Sequence, residues 1–182
     1  MPKLDKRFLQ RIRVPIGFLF AIAFVVFSRP SLWSLVVGGA VAIIGLIVRG
    51  YASGYINKAA DLAIAGPYGH TRNPLYLGSF IMGVGFTIAA GVWWLALLFI
   101  ALFLGIYFPV MRVEAEDMRR IFGAEFEAYE RSVPMFVPRF TVWRRTNQKF
   151  DRSLYLKYRE YRAAIGVAIA ITLLGLKAYF LR

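Results

Sequence analysis

The feature that most constrains this chain is a set of apolar runs, each free or nearly free of charge. They are Val14 to Phe27, Leu32 to Val48, Leu75 to Ala90, Val92 to Val110, and Ala163 to Leu181, the last interrupted only by Lys177. A bilayer span needs about 20 apolar residues, with about 17 as a practical minimum. The first run is short unless it borrows the turn before Val14, and the third must borrow Asn73 or Gly91. A chain of 182 residues that is 59% hydrophobic and 16% aromatic has no soluble core large enough to hide so much apolar side chain. The bilayer is its solvent. The expected fold is all-α, a polytopic transmembrane bundle of about five spans. Only "GVWW" separates the third run from the fourth, so these two form a tight antiparallel hairpin. Trp33, Trp93 and Trp94 fall at span ends on one side, as an interfacial aromatic belt requires.

The cations set the orientation. Five Lys/Arg precede Val14, Arg49, Lys58 and Arg72 lie between the second and third runs, and twelve lie between Arg112 and Arg162. The other face receives only Arg29, Lys177 and Arg182, and all ten Asp/Glu lie on the cation-rich side. The positive-inside rule places that side in the cytoplasm, with the N-terminus in and the C-terminus out. Topology and anionic headgroups account for the net charge of +13, so no nucleic-acid partner is inferred. Cysteine is absent, which excludes disulfides, thiolate metal sites and cysteine nucleophiles. A single histidine argues against a histidine-built metal site, and no metal is expected. The basic "MPKLDKRFLQRIR" leads into the first run without a clean small-residue cleavage site and reads as the flank of an uncleaved span.

Two polar stretches on the cation-rich side carry the unusual residues. The first ends in "GPYGHTRNPLYLG", residues 66 to 78. The preceding "RGYASGYINKAADLAIAG" is rich in helix formers and is expected to continue the second span beyond the bilayer until Gly66-Pro67 stops it. Asn73 is a natural N-cap and Pro74 suits a first helical turn. Residues 66 to 73 thus form a fixed turn facing the N-terminal amides of the third span, which favour an anion such as a carboxylate. The second stretch, "RVEAEDMRRIFGAEFEAYERSVPMFVP", places Met118, Ile121, Phe122, Phe126 and Tyr129 near helical spacing. Gly123 breaks or kinks it, and Pro134 and Pro138 stop it. Standing alone it reads as an interfacial helix resting in headgroups.

Together, "GPYxxxRNPxYxG", a short hairpin and "E(x)7FGxEFxxYxxxVPxxxP" resemble the isoprenylcysteine carboxyl methyltransferases and their phospholipid N-methyltransferase relatives, over roughly Leu32 to Phe140. The resemblance implies an S-adenosylmethionine-dependent membrane methyltransferase with a cytoplasmic cofactor pocket built from helices. Residues 1–140 would be the catalytic core, and 141–182 a basic linker with an additional C-terminal transmembrane helix. By resemblance the cofactor contacts are Ala60, Asp61, Leu62, Ala63, Tyr68, Asn73, Pro74, Leu75, Tyr76 and Glu114. Glu114 would pair with the cofactor's ammonium, the amides opening the third span would receive its carboxylate, and tyrosines would lie beside adenine or the sulfonium. The plainer readings are interfacial anchoring for Tyr68 and Tyr76 and a solvated helix face for Glu114.

The family's Arg-His-Pro histidine is Asn73 here, its second glutamate is Ala115, and its substrate arginine aligns with Val110. Arg112 lies two positions on, about 200° around a helix. The arginine before Val-Pro aligns with Ser132, beside Arg131. Arg112, Glu114 and Arg131 are the candidate catalytic residues, with the two arginines holding the acceptor. His70 occupies a variable motif position and reads as an interfacial side chain, with a role as base the alternative. The expected acceptor is a lipophilic membrane molecule, either a prenylcysteine-like carboxylate or a lipid amine, in contact with membrane lipids. The other reading is a non-enzymatic small membrane scaffold or channel-like protein, which would leave both motifs unexplained. Gly83-Val84-Gly85 lies inside an apolar span and reads as helix packing, as do the small pairs Ala164/Ala168 and Gly166/Ala170, whether within one chain or between protomers.

Overall fold

The computed structural model describes residues 6–56 and 61–180, and among them every regular element is helical. The long helices are α1 (Lys6–Phe27), α2 (Leu32–Ser53), α3 (Pro74–Ala90), α4 (Trp93–Leu102), α5 (Phe108–Phe122) and α8 (Tyr161–Phe180). Shorter pieces are α6 (Ala124–Ser132), α7 (Arg152–Lys157) and a 3-10 turn over Gly66–Gly69. A π-helical turn, Phe103–Tyr107, joins α4 to α5, so one helix runs from Trp93 to Phe122. Its cause is Pro109, which has no N–H and crowds the carbonyl four residues back, so the ladder widens locally. Where the sequence suggests one helix ending near Val110 and a separate polar one, the chain forms a single rod that leaves the apolar layer without a break.

Three helices are long and apolar enough to cross a membrane: Leu32–Ser53, Trp93–Phe122 and Tyr161–Phe180. The apolar parts of α1 (Pro15–Phe27) and all of α3 are shorter. Ile47 of α2, Leu97 of α4 and Ile165 and Ile169 of α8 point outward, as side chains do when lipid is the solvent.

Hydrogen bonds sort the helix ends into two groups. At one end the Arg29 amide donates to Ala90 O (2.7 Å), and Lys177 Nζ donates to Val25 O, Val26 O and Ser28 Oγ. Beside them Phe24, Ala89, Ala90, Leu95 and Leu174 form a buried cluster drawn from four helices. Ser31 and Ser34 cap α2 reciprocally, and Ser34 also reaches Ala89 O. Gly91 closes the α3–α4 hairpin at φ 68°, a left-handed conformation that glycine adopts without Cβ strain. Trp33 and Trp93 are exposed at this end, as an aromatic belt requires.

α2 and α3 pack at backbone contact. A Cβ on Gly85 would lie 2.6 Å from Gly38 O, one on Gly45 2.6 Å from Gly78 O, and one on Gly78 2.7 Å from Gly45 O. This matches the packing role expected for Gly85. A Cβ on Gly166, by contrast, would meet nothing within 4 Å, so Gly166 makes no such backbone contact among the described residues.

The helical extension expected beyond the second span is cut short, running only from Arg49 to Ser53. α2 ends at Ser53, and residues 54–56 and 61–65 are not helical. The carbonyls a longer helix would need are taken: Asp151 N–H donates to Gly54 O (3.0 Å), and Gln148 Nε2 to Tyr55 O (3.4 Å). Arg49, placed by the sequence reading just past the second span, lies inside α2 and pairs with Glu160 ahead of α8.

Candidate functional site

At the end opposite the Arg29 turn, the motif loop and the amphipathic helices fold onto one another. Gly123, at φ 51° and ψ −126°, breaks the rod as expected and returns α6 toward the loop. Ala115, Phe126, Tyr129 and Val133 then form a buried cluster with Leu62 and Ile64 against it. Tyr129 sends its hydroxyl to Tyr68 O (2.7 Å). Pro134 and the residues after it form an irregular strap over the loop: Arg72 N–H donates to Pro134 O, Thr71 Oγ1 to Phe136 O, Arg139 N–H to His70 O and Trp143 N–H to Gly69 O. His70 Nδ1 lies 2.8 Å from Arg139 O, so that nitrogen carries a proton.

The motif arginine is a structural clamp. Arg72 and Arg119 both bond Glu130, joining the loop, α5 and α6. Burial alone would raise the Glu130 pKa, but hydrogen bonds from Arg119 and Arg72 hold it below its ordinary value. Arg72 Nε is buried with no partner among the described residues.

Above this clamp the expected cofactor residues converge in part. Tyr76, in the first turn of α3, donates its hydroxyl to Glu114 Oε1 on α5 at 3.0 Å, across 38 positions of sequence. Its ring meets Tyr107 edge-on at 5.7 Å, so the π-turn sets the wall behind the pair. Tyr68 is buried below them. Burial above all, then neighbouring Tyr129 and Glu160, hold its phenol well above the ordinary range, with Arg49 opposing and Glu114 adding. It therefore stays neutral, and its hydroxyl has no hydrogen-bond partner among the described residues. Leu62 packs against the Ala115 cluster, Ala63 and Leu75 against the Tyr55–Tyr68 cluster, and Pro74 is buried. Asp61 is exposed, and Ala60 lies outside the described residues.

Three expected residues stand differently. Asn73 occupies the N-cap position, but its side chain makes no cap bond; Nδ2 donates to Met135 O at 3.0 Å and holds the strap. Arg112 is exposed with its guanidinium 5.0 Å over the Phe108 ring, and Arg131 is exposed on α6. Among the described residues, no hydrogen bond or ion pair joins either arginine to Glu114. Val110, at the position of the family's substrate arginine, is buried. The sequence reading missed the Arg49–Glu160 pair (2.8 Å), which also engages Ser79 through Arg49 Nη1 at 2.6 Å. An arginine closing an uncharged run was the available signal. Among the described residues no group of His, Cys, Asp or Glu could hold a metal ion.

The fold and site thus define an integral membrane protein whose helices assemble a polar, tyrosine-lined site at one end of the bundle. The family model of the phospholipid methyltransferases matches residues 32–125, from the first turn of α2 into α6, and the chain belongs to that family, within the isoprenylcysteine carboxyl methyltransferase-like membrane methyltransferases. The chain is also similar to the nickel-cobalt-cadmium resistance protein NccN of Alcaligenes xylosoxydans xylosoxydans, 35% identical over 94 residues. That match covers 52% of this chain and 43% of the relative, so the chain spans less than half of that protein's length. No solved structure matches the chain.

Proposed function

We propose that the protein transfers a methyl group from S-adenosylmethionine to a lipophilic acceptor that stays in the bilayer, with the site opening to the cytoplasm. The observation that carries this reading is the Tyr76–Glu114 hydrogen bond, which joins the two family motifs in one partly buried site. The chemistry of the donor set fits the cofactor. One hydroxyl on Glu114 Oε1 leaves its remaining lone pairs for an ammonium. The first-turn amides of α3 lack intrahelical acceptors and suit a carboxylate. Neutral tyrosine rings suit a cation at their faces.

When bound, the cofactor supplies an electrophilic methyl group on a sulfonium. The residues Asp61, Leu62, Ala63, Tyr68, Asn73, Pro74, Leu75 and Tyr76, with Ala60, would hold and orient it, and Glu114 would neutralise its ammonium. Buried Tyr68 and the Tyr107 ring exclude water from the floor. Arg112 and Arg131 offer planar donors to an anionic acceptor head at the headgroup level. Positioning and charge placement do most of the catalysis. A carboxylate acceptor needs no base, whereas an amine with a pKa of about 10 must first lose a proton.

The test is calorimetric titration of the purified protein with S-adenosylmethionine, followed by incubation with methyl-labelled cofactor. Extracted native lipids and a prenylcysteine analogue are offered separately. Saturable binding and label in a lipophilic fraction are expected, with less label in Arg112→Ala or Arg131→Ala while cofactor binding persists. Absence of binding by the folded protein, or label only on a water-soluble acceptor, refutes the reading.

A further inference from the structure

The residues beyond the family match build a second feature on the same end of the molecule. The segment after Phe136 is pinned to the core at two places. Arg139 and Trp143 donate their amides to His70 and Gly69, and Gln148 and Asp151 donate to Tyr55 and Gly54. Between the pins, residues 144–147 are exposed and without regular structure. A groove of about 680 Å³ is lined by this stretch, with Arg144 and Arg145, and by Val48, Tyr51 and Tyr55.

Its chemistry is one-sided. Among the described residues, none that lines it is a carboxylate. Arg144 and Arg145 are exposed, and Arg144 is braced 4.2 Å over the Trp143 ring. From Arg139 to Arg152 the segment holds five cations against Asp151 alone. Tyr51 and Tyr55 share one hydrogen bond between their hydroxyls at 2.7 Å. Two hydroxyl protons and one shared bond leave one O–H to donate elsewhere. Phe150 stacks on Tyr51 at 5.9 Å and braces that ring.

Its depth is also fixed. Val48 and Tyr51 belong to the last turns of α2, a helix long and apolar enough to cross a membrane, so the groove opens where that helix leaves the hydrocarbon. On the same strap Val137 is 71% exposed and Phe140 fully exposed, among arginines. Bare aromatic and aliphatic side chains alternating with cations are what a segment lying against an anionic leaflet presents.

We propose that this groove binds the phosphodiester of an anionic phospholipid of the surrounding leaflet, with its acyl chains remaining along α2. Arg144 and Arg145 receive the phosphate oxygens through planar donors, and the spare tyrosine hydroxyl donates to the same group. Gly66, Pro67 and His70 of the motif loop also line the groove, whereas Tyr76 and Glu114 do not, and the binding proposed does not depend on methyl transfer.

The experiment uses the full chain, delipidated in neutral detergent, and native mass spectrometry with dioctanoyl phosphatidylglycerol. Dioctanoyl phosphatidylcholine, inorganic phosphate and S-adenosylmethionine are offered as competitors. Retention of one phosphatidylglycerol is expected, weakened about tenfold in Arg144→Gln/Arg145→Gln and less in Tyr51→Phe. An unchanged melting temperature in the double variant, whose two side chains are exposed, separates lost binding from lost folding. Equal binding by the double variant or equal affinity for phosphatidylcholine would overturn the proposal. Displacement by inorganic phosphate would reassign the groove to a free anion. Displacement by S-adenosylmethionine would merge it with the cofactor site.

Discussion

Glu114 and Tyr76 test whether the pair in the structure is the pair that binds. Glu114→Ala removes the carboxylate, and a lost charge-assisted bond costs about 1.5–3 kcal/mol, so cofactor affinity should fall tenfold or more. Tyr76→Phe removes only a neutral donor and keeps the ring against Tyr107, so the loss should be about fivefold or less. Titration calorimetry reads both, and equal losses would mean that the hydroxyl holds more than its partner. Glu130 gives a different kind of residue-scale prediction. Its pKa is lower in the folded protein than in the unfolded chain, because burial is outweighed by Arg119 and Arg72. The unfolded chain therefore binds the extra proton first as pH falls. The clamp's stabilisation is complete above the ordinary carboxylate pKa of about 4.3 and is lost as pH drops through the folded value. Melting in detergent between pH 6 and pH 3 should show a steeper decline in wild type than in Glu130→Gln. Parallel declines would mean that the clamp is not what acid releases.

Among the elements, the apolar runs were legible because hydrophobicity without charge has few other meanings. The hairpin at Gly91 and the break at Gly123 were legible because glycine marks both. The end of α2 was not. Helix formers after Ser53 favour continuation locally, but Asp151 and Gln148, about a hundred residues away, take the carbonyls that continuation requires. Asn73 failed for the same reason: its amide was claimed by Met135 O on a distant strap. Tyr76 and Glu114 were recoverable only through the resemblance, since nothing local announces a partner 38 positions away. Contact between α2 and α3 makes a paired prediction at this scale. Gly85→Ala should destabilise the bundle by about 1–3 kcal/mol, because its Cβ would meet Gly38 O and backbone cannot step aside. Gly166→Ala meets open space in a helix and should be neutral or stabilising. Detergent-phase melting of the two variants checks it, and equal effects would show that α2 and α3 are not in backbone contact.

For the whole molecule, the contacts fix which segments share an end, and the charges predict which compartment each end faces. Lys177 touches the carbonyls of Val25 and Val26, near the Arg29–Ala90 bond, so the last turns of α8 lie at the α1–α2 turn. Arg49–Glu160 ties the start of α8 to the other end, beside the motif loop and α6. α8 therefore runs the length of the bundle, and Glu125 and Tyr179 lie at opposite ends. By the positive-inside rule, the 3-versus-20 distribution of cations predicts Glu125 in the cytoplasm and Tyr179 outside. The chain has no cysteine, so single reporters can be introduced without background. Tyr179 is 74% exposed and Glu125 is exposed on α6, so Tyr179→Cys and Glu125→Cys should both be tolerated. In intact cells a membrane-impermeant maleimide should label Tyr179→Cys alone, and permeabilisation should add Glu125→Cys. Labelling of Glu125→Cys alone would invert the orientation and place the tyrosine-lined site outside the cytoplasm. If neither position labels until permeabilisation, α8 does not cross the bilayer, and Lys177 must reach the Val25 carbonyls from within one leaflet.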